Sequence, residues 1–250
     1  MSNLTPNVRA VILAAGQGKR MNSTMLKVMH EVRGKPMIEY VVSTVEKAGL
    51  EKPVVVVCAT DPAVQNFLGN RAEYVVQKDR LGTGHAVSMA EPELNGRAEN
   101  IVVLYGDMPF VSAESVKRLV ERHQERDNTL TMMTFVVQDF EDWRAPFNSF
   151  SRIIRGADGH IVRDVQFKDA TSEELEIKEL NPCVYCFKSD WLWKNLKSLK
   201  NNNAQQEYYL TDLISEAIRQ GEKISSVIID PKEALGVNSQ ADLATAEQLN

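Results

Sequence analysis

The amino-acid sequence predicts an α/β fold built on a doubly wound, mixed but mostly parallel sheet. Over residues 9–137, short apolar runs alternate with segments whose apolar side chains recur at helical spacing. Two of these runs lead directly into glycine-containing loops, at Gly16 and at Gly106-Asp107. With the usual right-handed crossovers, ligands of such a sheet bind beyond the carboxyl ends of the strands, so both loops should lie at one edge.

The elements of this first part follow from run length and periodicity. Apolar runs of strand length are typical of strands buried on both faces of a parallel sheet. The predicted strands are 10–15, 54–58, 74–77, 101–104 and 130–137. The predicted helices are 36–48, 61–68, one that follows the glycine loop 80–85 and runs through Met89, and 113–126. Asp61 suits the N-cap of the second helix, and Gly49 should end the first.

From about Gln138 the pattern changes to an acidic and aromatic segment followed by a β-ribbon. Asp158-Gly159 is a strong hairpin signal between the apolar segments 152–154 and 161–168. The remaining predicted elements are a strand at 180–187, helices at 189–199 and 210–219, a strand at 224–229 and a closing helix at 241–249.

Length and composition narrow the class of protein. The chain has 250 residues, of which 43% are hydrophobic, enough to fill a sizeable core. It carries 29 basic and 34 acidic residues without a basic block, which argues against a nucleic-acid-binding protein. The segment Met1–Asn7 lacks an apolar signal core, and no apolar stretch reaches membrane-spanning length. A cytoplasmic protein with no membrane partner is therefore expected.

The three cysteines give little sign of a metal or redox site. Cys183 and Cys186 have a C-x-x-C spacing, but no second pair is present to complete a zinc site. The alternating apolar residues around them predict a strand that would direct the two thiols to opposite faces.

The loop that begins at Gly16 has the features of a phosphate-binding loop. Gly16 and Gly18 leave the backbone N–H groups accessible to an anion, and Lys19, Arg20 and Lys27 add positive charge. Neither common phosphate motif fits, because Met21 replaces the third glycine of a dinucleotide fingerprint and Arg20 replaces the Ser/Thr of a Walker A loop. A tight turn with solvated cations is the alternative.

Asp107 and His85 are the remaining candidates for chemistry. Asp107 follows a strand and a glycine, so its carboxylate can reach a hard cation such as Mg²⁺ in the ligand crevice, although capping of a loop is an alternative. His85, after Gly82-Thr83-Gly84, is a candidate base, but a place in the first turn of a helix beneath that loop is the preferred interpretation.

The motifs together resemble a known family. The segment 13–21 with Lys27 is similar to the signature of the sugar-phosphate nucleotidyltransferases. More narrowly, the chain resembles the uridylyltransferase half of the bifunctional bacterial N-acetylglucosamine-1-phosphate uridylyltransferases. The narrower match includes Gln77 and extends from about Val11 to the end of the chain; its other segments are 81–86, 104–107, 168–171, 201–205, 207–212 and 236–238.

The resemblance implies a Rossmann-like nucleotidyltransferase fold with a small β-ribbon lobe on the sugar side. Residues 1–250 would form one domain, with a nucleotide-binding half at about 9–137 and a sugar-phosphate-binding half at about 138–238. Residues 239–250 would form a closing helix. The hexapeptide-repeat acetyltransferase region of the bifunctional family members is expected to be absent.

The resemblance also implies an activity. The enzyme would transfer a uridylyl group from UTP to N-acetylglucosamine 1-phosphate by direct in-line attack with Mg²⁺, giving UDP-N-acetylglucosamine and pyrophosphate. Its partners would be these small molecules, without nucleic acid. The implied nucleotide-binding residues are Leu13, Ala14, Ala15, Gly16, Gln77, Gly82 and Thr83; the catalytic cations are Arg20 and Lys27; the metal ligands are Asp107 and Asn238; the sugar-phosphate residues are Tyr105, Gly106, Ser151, Gln166 and Asn181.

Departures from the family pattern gather on the sugar side. Ser149-Phe150-Ser151-Arg152 stands where the family has Gly-Tyr-Gly-Arg, Gln166 replaces a glutamate, and Pro182 removes a backbone donor after Asn181. Two alternatives therefore stay open: a UTP-dependent enzyme for another sugar 1-phosphate such as glucose 1-phosphate, and a catalytically silent nucleotide-binding module.

Overall fold

The computed structural model describes residues 8–16, 18–21, 23–203 and 205–248. Predictions for Met1–Asn7, for Gln17 in the glycine loop, for Ala204 and for the last two residues lie outside this range. The strands are β1 (Val8–Leu13), β2 (Glu31–Val32), β3 (Lys35–Pro36), β4 (Val54–Cys58), β5 (Glu73–Gln77), β6 (Asn100–Tyr105), β7 (Leu130–Val136), β8 (Arg152–Arg155), β9 (Ile161–Val165), β10 (Glu179–Leu180), β11 (Tyr185–Lys188) and β12 (Ile224–Ile228).

The helices occupy the intervals between these strands. They are α1 (Met37–Lys47), α2 (Ala63–Leu68), α3 (Thr83–Ser88), α4 (Glu91–Leu94), α5 (Ala113–Glu125), α6 (Ser172–Leu175), α7 (Ser189–Leu196), α8 (Asp212–Arg219) and α9 (Gln240–Gln248). Short 3₁₀ turns follow the glycine loop, at Lys19–Met21 and Lys27–Met29. Among the described residues, no helix has both the length and the apolar character needed to cross a bilayer.

A mixed sheet organises the molecule. Its parallel part runs β5-β4-β1-β6, and β11 then lies antiparallel between β6 and β7. Strand β7 also pairs in parallel with β12, while β10, β8 and β9 extend the sheet as an antiparallel lobe. The predicted α/β class, with its doubly wound sheet and β-ribbon lobe, is confirmed.

The core lies between the sheet and two groups of helices. Strands β1 and β4 are buried along nearly their whole length, as the apolar runs predict. Helix α1 packs with α5, which covers β7, β11 and β12, whereas α3 packs with α7 and β1. This arrangement fixes the carboxyl ends of β1, β5 and β6 at one edge of the sheet.

One predicted strand, 180–187, is wrong as a continuous element. The chain leaves the sheet after β10 and returns at β11, because Pro182 has no N–H for the ladder and Cys183 has a left-handed backbone (φ 65°). Cys183 therefore lies in a turn between strands, and the predicted alternation of the two thiols across one strand does not apply.

The start of α2 differs slightly from its prediction. The helix begins at Ala63, and the carboxylate of Asp61 accepts a hydrogen bond from the Ala63 N–H at 2.9 Å. Asp61 thus pairs with a free N–H group of the first turn, but it lies one residue before the N-cap, which is Pro62.

Candidate functional site

A cavity of about 240 Å³ opens at the carboxyl ends of β1, β5 and β6. The sequence-predicted residues that line it are Leu13, Ala15, Gly16, Lys27, Gln77, Gly82, Thr83, Tyr105 and Asp107. Arg80 and Glu207 also line it and were not singled out from the sequence. Residues that are far apart in the chain therefore meet around one space at the expected edge of the sheet.

The glycine loop leaves room for a ligand beside its backbone. A Cβ built on Gly16 would meet no atom within 4 Å, so the packing of the chain does not itself require glycine there. Within the described residues, no protein acceptor pairs with the N–H groups of Ala15 and Gly16, whereas Ala14 donates to Val56 O at 2.9 Å. Two backbone donors beside an open space suit an anion.

Gly18 and Gly106 are glycines for packing reasons. Gly18 has a φ of 65°, and a Cβ there would lie 2.8 Å from the Lys27 Cβ. Gly106 donates to Leu13 O at 2.9 Å, and a Cβ on it would lie 2.9 Å from Val28 Cγ1. Gly106 thus sits against β1, so its observed contacts are structural.

Cationic and oxygen-bearing side chains converge at the mouth of this loop. The Lys27 ammonium group forms an ion pair with the Asp107 carboxylate and donates to Asn238 Oδ1. The Arg20 guanidinium donates to the same Asn238 oxygen at 3.2 Å. We call Arg20, Lys27, Asp107 and Asn238 the charge cluster.

The backbone places Asn238 beside Asp107. Val237 donates its N–H to the Asp107 carbonyl at 2.9 Å, and Asn238 N–H donates to the Asp242 carboxylate at 2.9 Å. The segment before α9 is therefore tied to the loop after β6 by Val237 and to α9 by Asn238. Within the described residues no group of three or more His, Cys, Asp or Glu side chains forms a metal cage. A cation here would have Asp107 and Asn238 as its protein ligands.

Gln77 is held in one orientation by its neighbours. Its side-chain amide nitrogen donates to Gly82 O at 3.2 Å and lies 3.0 Å from Nδ1 of His85. Both N–H groups of the buried amide are then directed at protein acceptors, so the carbonyl oxygen is left for a ligand in the cavity. His85 lies in α3, as preferred from the sequence, and contacts Gln77.

The loop Gly82-Thr83-Gly84 is fixed to the segment 207–210 by hydrogen bonds. Gly84 donates to Tyr208 O at 2.8 Å, and Tyr208 donates to Leu81 O at 2.7 Å. The Thr83 hydroxyl accepts from Leu210 N at 3.0 Å. A Cβ on Gly82, whose φ is 107°, would lie 2.6 Å from Tyr208 O, so glycine is required there.

The sugar-side residues meet at a carboxylate that the sequence analysis did not single out. Ser151 Oγ donates to Asp164 Oδ1 at 2.6 Å, and the amides of Asn181 and Gln166 each lie 3.4 Å from an Asp164 oxygen. Burial is the main cause that raises the pKa of Asp164 to about 6, while hydrogen bonds from these three side chains lower it. We call these four residues the Asp164 cluster.

The two clusters adjoin through a buried turn. The pKa of Cys183 is raised to about 12, chiefly by burial and further by the charges of Asp164 and Asp107. Burial likewise raises the pKa of Tyr105 well above its usual range, while a hydrogen bond with Thr83 lowers it. Cys183 therefore lies within electrostatic range of both carboxylates.

The chain was compared with known proteins. Residues 10–212 match the model of a MobA-like NTP transferase domain. Proteins named bifunctional protein GlmU are similar along almost the whole chain: 42% identity over 241 residues in an Exiguobacterium species, 42% over 246 residues in Geotalea uraniireducens and 43% over 241 residues in Halalkalibacterium halodurans. These matches cover 96%, 97% and 96% of this chain but 52%, 52% and 51% of the relatives, so the chain spans about half their length.

Proposed function

Because this chain belongs to the MobA-like NTP transferase family, we propose that it transfers a uridylyl group from UTP to a sugar 1-phosphate. N-acetylglucosamine 1-phosphate is the proposed acceptor, and UDP-N-acetylglucosamine and pyrophosphate are the products. The observation that carries the proposal is the cavity in which Gly16, Gln77 and Asp107 meet beside Lys27. Similarity to proteins named bifunctional protein GlmU supports the same assignment.

The cavity offers different groups to the base and to the triphosphate of a nucleotide. The Gln77 oxygen accepts the N3–H of uracil, a donor that cytosine lacks, and Gly82 and Thr83 border the base. The backbone of residues 13–16 lies against the triphosphate, with N–H donors at Ala15 and Gly16. The open space beside Gly16 permits the close approach of a phosphate to the backbone.

The oxygen atoms of Asp107 and Asn238 fit a hard divalent cation. Both converge on the same ammonium nitrogen of Lys27, so they point at a common positive charge. Mg²⁺ uses one or two protein oxygens together with phosphate oxygens and water, and this pair supplies that number. When bound, the metal would offset negative charge on the triphosphate and the leaving pyrophosphate.

The side chains of the charge cluster serve positioning and charge balance. An oxygen of the sugar 1-phosphate attacks the α-phosphorus of UTP, and the bond to the β-phosphate bridging oxygen breaks with its electron pair leaving on pyrophosphate. The attacking oxygen is already anionic and needs no general base. Two polyanions must instead be held in line, for which Arg20 and Lys27 supply positive charge.

The acceptor is assigned to the second half of a single domain. Residues 138–238 contribute Ser151, Gln166 and Asn181, whose side chains meet in the Asp164 cluster next to the cavity. Tyr105 and Gly106, at the end of β6 in the nucleotide half (about 9–137), are assigned to the acceptor as well. The arrangement supports an acceptor that bridges the cavity and the lobe.

A pyrophosphate-release assay tests the proposed function. UTP and Mg²⁺ are supplied with N-acetylglucosamine 1-phosphate, glucose 1-phosphate or glucosamine 1-phosphate, and the nucleotide sugar is identified by mass. We expect pyrophosphate and UDP-N-acetylglucosamine in equal amounts. If only another sugar 1-phosphate of the panel is turned over, that sugar is the acceptor and the assignment to N-acetylglucosamine 1-phosphate is wrong. Binding of UTP without turnover of any sugar 1-phosphate would indicate a silent module.

A further inference from the structure

Asp164 is the focus of the β-ribbon lobe. It lies in β9 opposite Ile153 of β8, and its neighbours come from separate segments of the chain. Ser151 precedes β8, Gln166 follows β9 and Asn181 follows β10. Three predicted sugar-side residues therefore place donors near one carboxylate, although the Asn181 amide donates more closely to the Tyr185 hydroxyl, at 2.9 Å.

The hydrogen bonds of Asp164 leave capacity for a ligand. A carboxylate has about four acceptor sites, and only the contact with Ser151 is short, whereas those with Gln166 and Asn181 are 3.4 Å. In the described part of the chain no lysine or arginine forms an ion pair with Asp164. A mostly buried carboxylate without a cationic partner gains when a ligand brings further donors to it.

The charges around Asp164 indicate which part of the acceptor it meets. Asp212 of α8, which packs against β9, adds a second negative charge in electrostatic range. Phosphate would be repelled here, so the phosphate must lie toward Arg20 and Lys27. The hydroxyl groups of a pyranose are neutral donors, and they complement a carboxylate at the far end of the acceptor.

We propose that Asp164 is a specificity-determining residue whose carboxylate accepts a hydrogen bond from a ring hydroxyl of the acceptor sugar. Ser151 and Asn181 hold the carboxylate in place, and Gln166 borders it on the exposed side. This inference rests on the proposed function for the identity of the acceptor. It adds a charged residue that selects among sugar 1-phosphates by their hydroxyl pattern.

The test compares Asp164→Asn with wild type on N-acetylglucosamine 1-phosphate and on its 3-, 4- and 6-deoxy analogues. Wild type should lose about 10- to 100-fold in kcat/KM with one deoxy analogue, the range for a hydrogen bond to a charged group. With the parent acceptor, the kcat/KM of Asp164→Asn should be lower than that of wild type by a similar factor. The variant should then have nearly the same kcat/KM with the parent acceptor and with the deoxy analogue to which wild type is sensitive. The KM for UTP should stay within about twofold, since Asp164 lies outside the nucleotide cavity.

Asp158→Asn is the matched control on the same ribbon. Asp158 accepts from His160 N–H in the hairpin turn, and asparagine can keep that bond. The control should behave as wild type toward every acceptor. If Asp164→Asn loses activity equally with all acceptors, or with none, Asp164 does not read a hydroxyl and the inference is wrong.

A binding measurement separates the two proposals. Calorimetry gives the affinity of wild type and Asp164→Asn for N-acetylglucosamine 1-phosphate without UTP. Binding that depends on Asp164, but no pyrophosphate release, would overturn the proposed function and support the inference. Turnover with full indifference to Asp164→Asn would overturn the inference alone, and failure of wild type both to bind and to turn over would overturn both.

Discussion

The side-chain amide nitrogen of Gln77 lies 3.0 Å from the Nδ1 atom of His85. The Gly82 carbonyl oxygen, which can only accept, lies 3.2 Å from the same nitrogen and orients the amide. With this orientation, Nδ1 of His85 accepts a hydrogen bond in the tautomer that carries its proton on Nε2. The contact makes His85 a residue that positions Gln77, and on the proposed function it would influence the nucleotide only through that amide.

His85→Ala should weaken discrimination between UTP and CTP. Without Nδ1 the Gln77 amide loses one of the two acceptors that orient it, so it can turn more readily and offer an N–H group to the N3 atom of cytosine. Each hydrogen-bonding group of the site that CTP leaves unpaired should favour UTP by about 1–3 kcal/mol in the wild type. In the variant, the preference for UTP over CTP should fall by roughly tenfold. The ratio of kcat/KM for the two nucleotides measures the effect. His160→Ala, at an exposed site in the ribbon, is the control; unchanged discrimination in His85→Ala would contradict the prediction.

Asp107→Asn should lose Mg²⁺-dependent turnover. The substitution removes the only carboxylate of the charge cluster, and loss of metal-borne charge stabilisation costs several kcal/mol in the barrier, about 100-fold or more in rate. Pyrophosphate release is measured over a Mg²⁺ titration, and urea unfolding checks that the fold persists. Asp61→Asn, which can keep its bond to the Ala63 N–H, serves as the matched variant. Normal turnover of Asp107→Asn at ordinary Mg²⁺ concentrations would refute the assignment.

The kcat/KM for the acceptor should fall as the pH drops through the pKa of Asp164, about 6. That pKa is raised, mainly by burial, so the carboxylate gains its proton at a higher pH than an exposed aspartate and then no longer accepts at that oxygen. Asp212, Cys183 and Tyr185 are the other titratable groups near it. The acceptor phosphate also titrates near pH 6, but its ionisation affects wild type and Asp164→Asn alike. The difference between the two pH profiles therefore reports on Asp164. Identical profiles for the two proteins would exclude a role for this ionisation.

Gln166→Glu should shift preference among sugar 1-phosphates. An ionised glutamate only accepts, and it would place a second negative charge beside Asp164, where the Gln166 amide now lies 3.4 Å away. We expect the ratio of kcat/KM between N-acetylglucosamine 1-phosphate and glucose 1-phosphate to change severalfold, with the KM for UTP unaltered. A constant ratio would show that Gln166 does not influence the sugar.

His123 should make folding stability depend on pH between about 4 and 6.5. Its ring nitrogens contact Thr131 and Asn100, each at 3.0 Å, and burial is the main cause that lowers its pKa to about 4. The unfolded chain takes up this proton near 6.5, so the stabilisation is complete above that pH and is lost as the pH falls to 4. Up to about 3 kcal/mol is involved. Urea unfolding at both pH values should show a smaller difference for His123→Gln; an equal difference would disprove the linkage.

The fold was predictable wherever one local signal dominated. The limits of β4 were predicted to the residue because a short run of four valines and a cysteine favours a strand buried on both faces. The interval 180–187 failed since its apolar content masked Pro182 and the left-handed Cys183. Backbone conformation at a single non-glycine residue is set by its tertiary contacts, which a sequence does not display.

The candidate site was predictable to a different degree on its two sides. Gly16, Gln77 and Asp107 belong to segments that match sequence motifs, and all three line one cavity in the structure. Asp164 follows Arg163 in a ribbon strand, a pattern typical of a solvated face, so nothing local marks it as buried. Its environment depends on pairing between β8, β9 and β10, and is visible only after the lobe is folded.

The hydrogen bond between Val237 N–H and Asp107 O has a consequence for biosynthesis. During translation the loop at Gly16 and strand β6 leave the ribosome before residue 238. A nascent chain that has emerged only through β7 contains Lys27 and Asp107 but does not yet contain Asn238. The charge cluster is therefore completed only once Asn238, which follows β12, has been synthesised and Val237 has paired with Asp107.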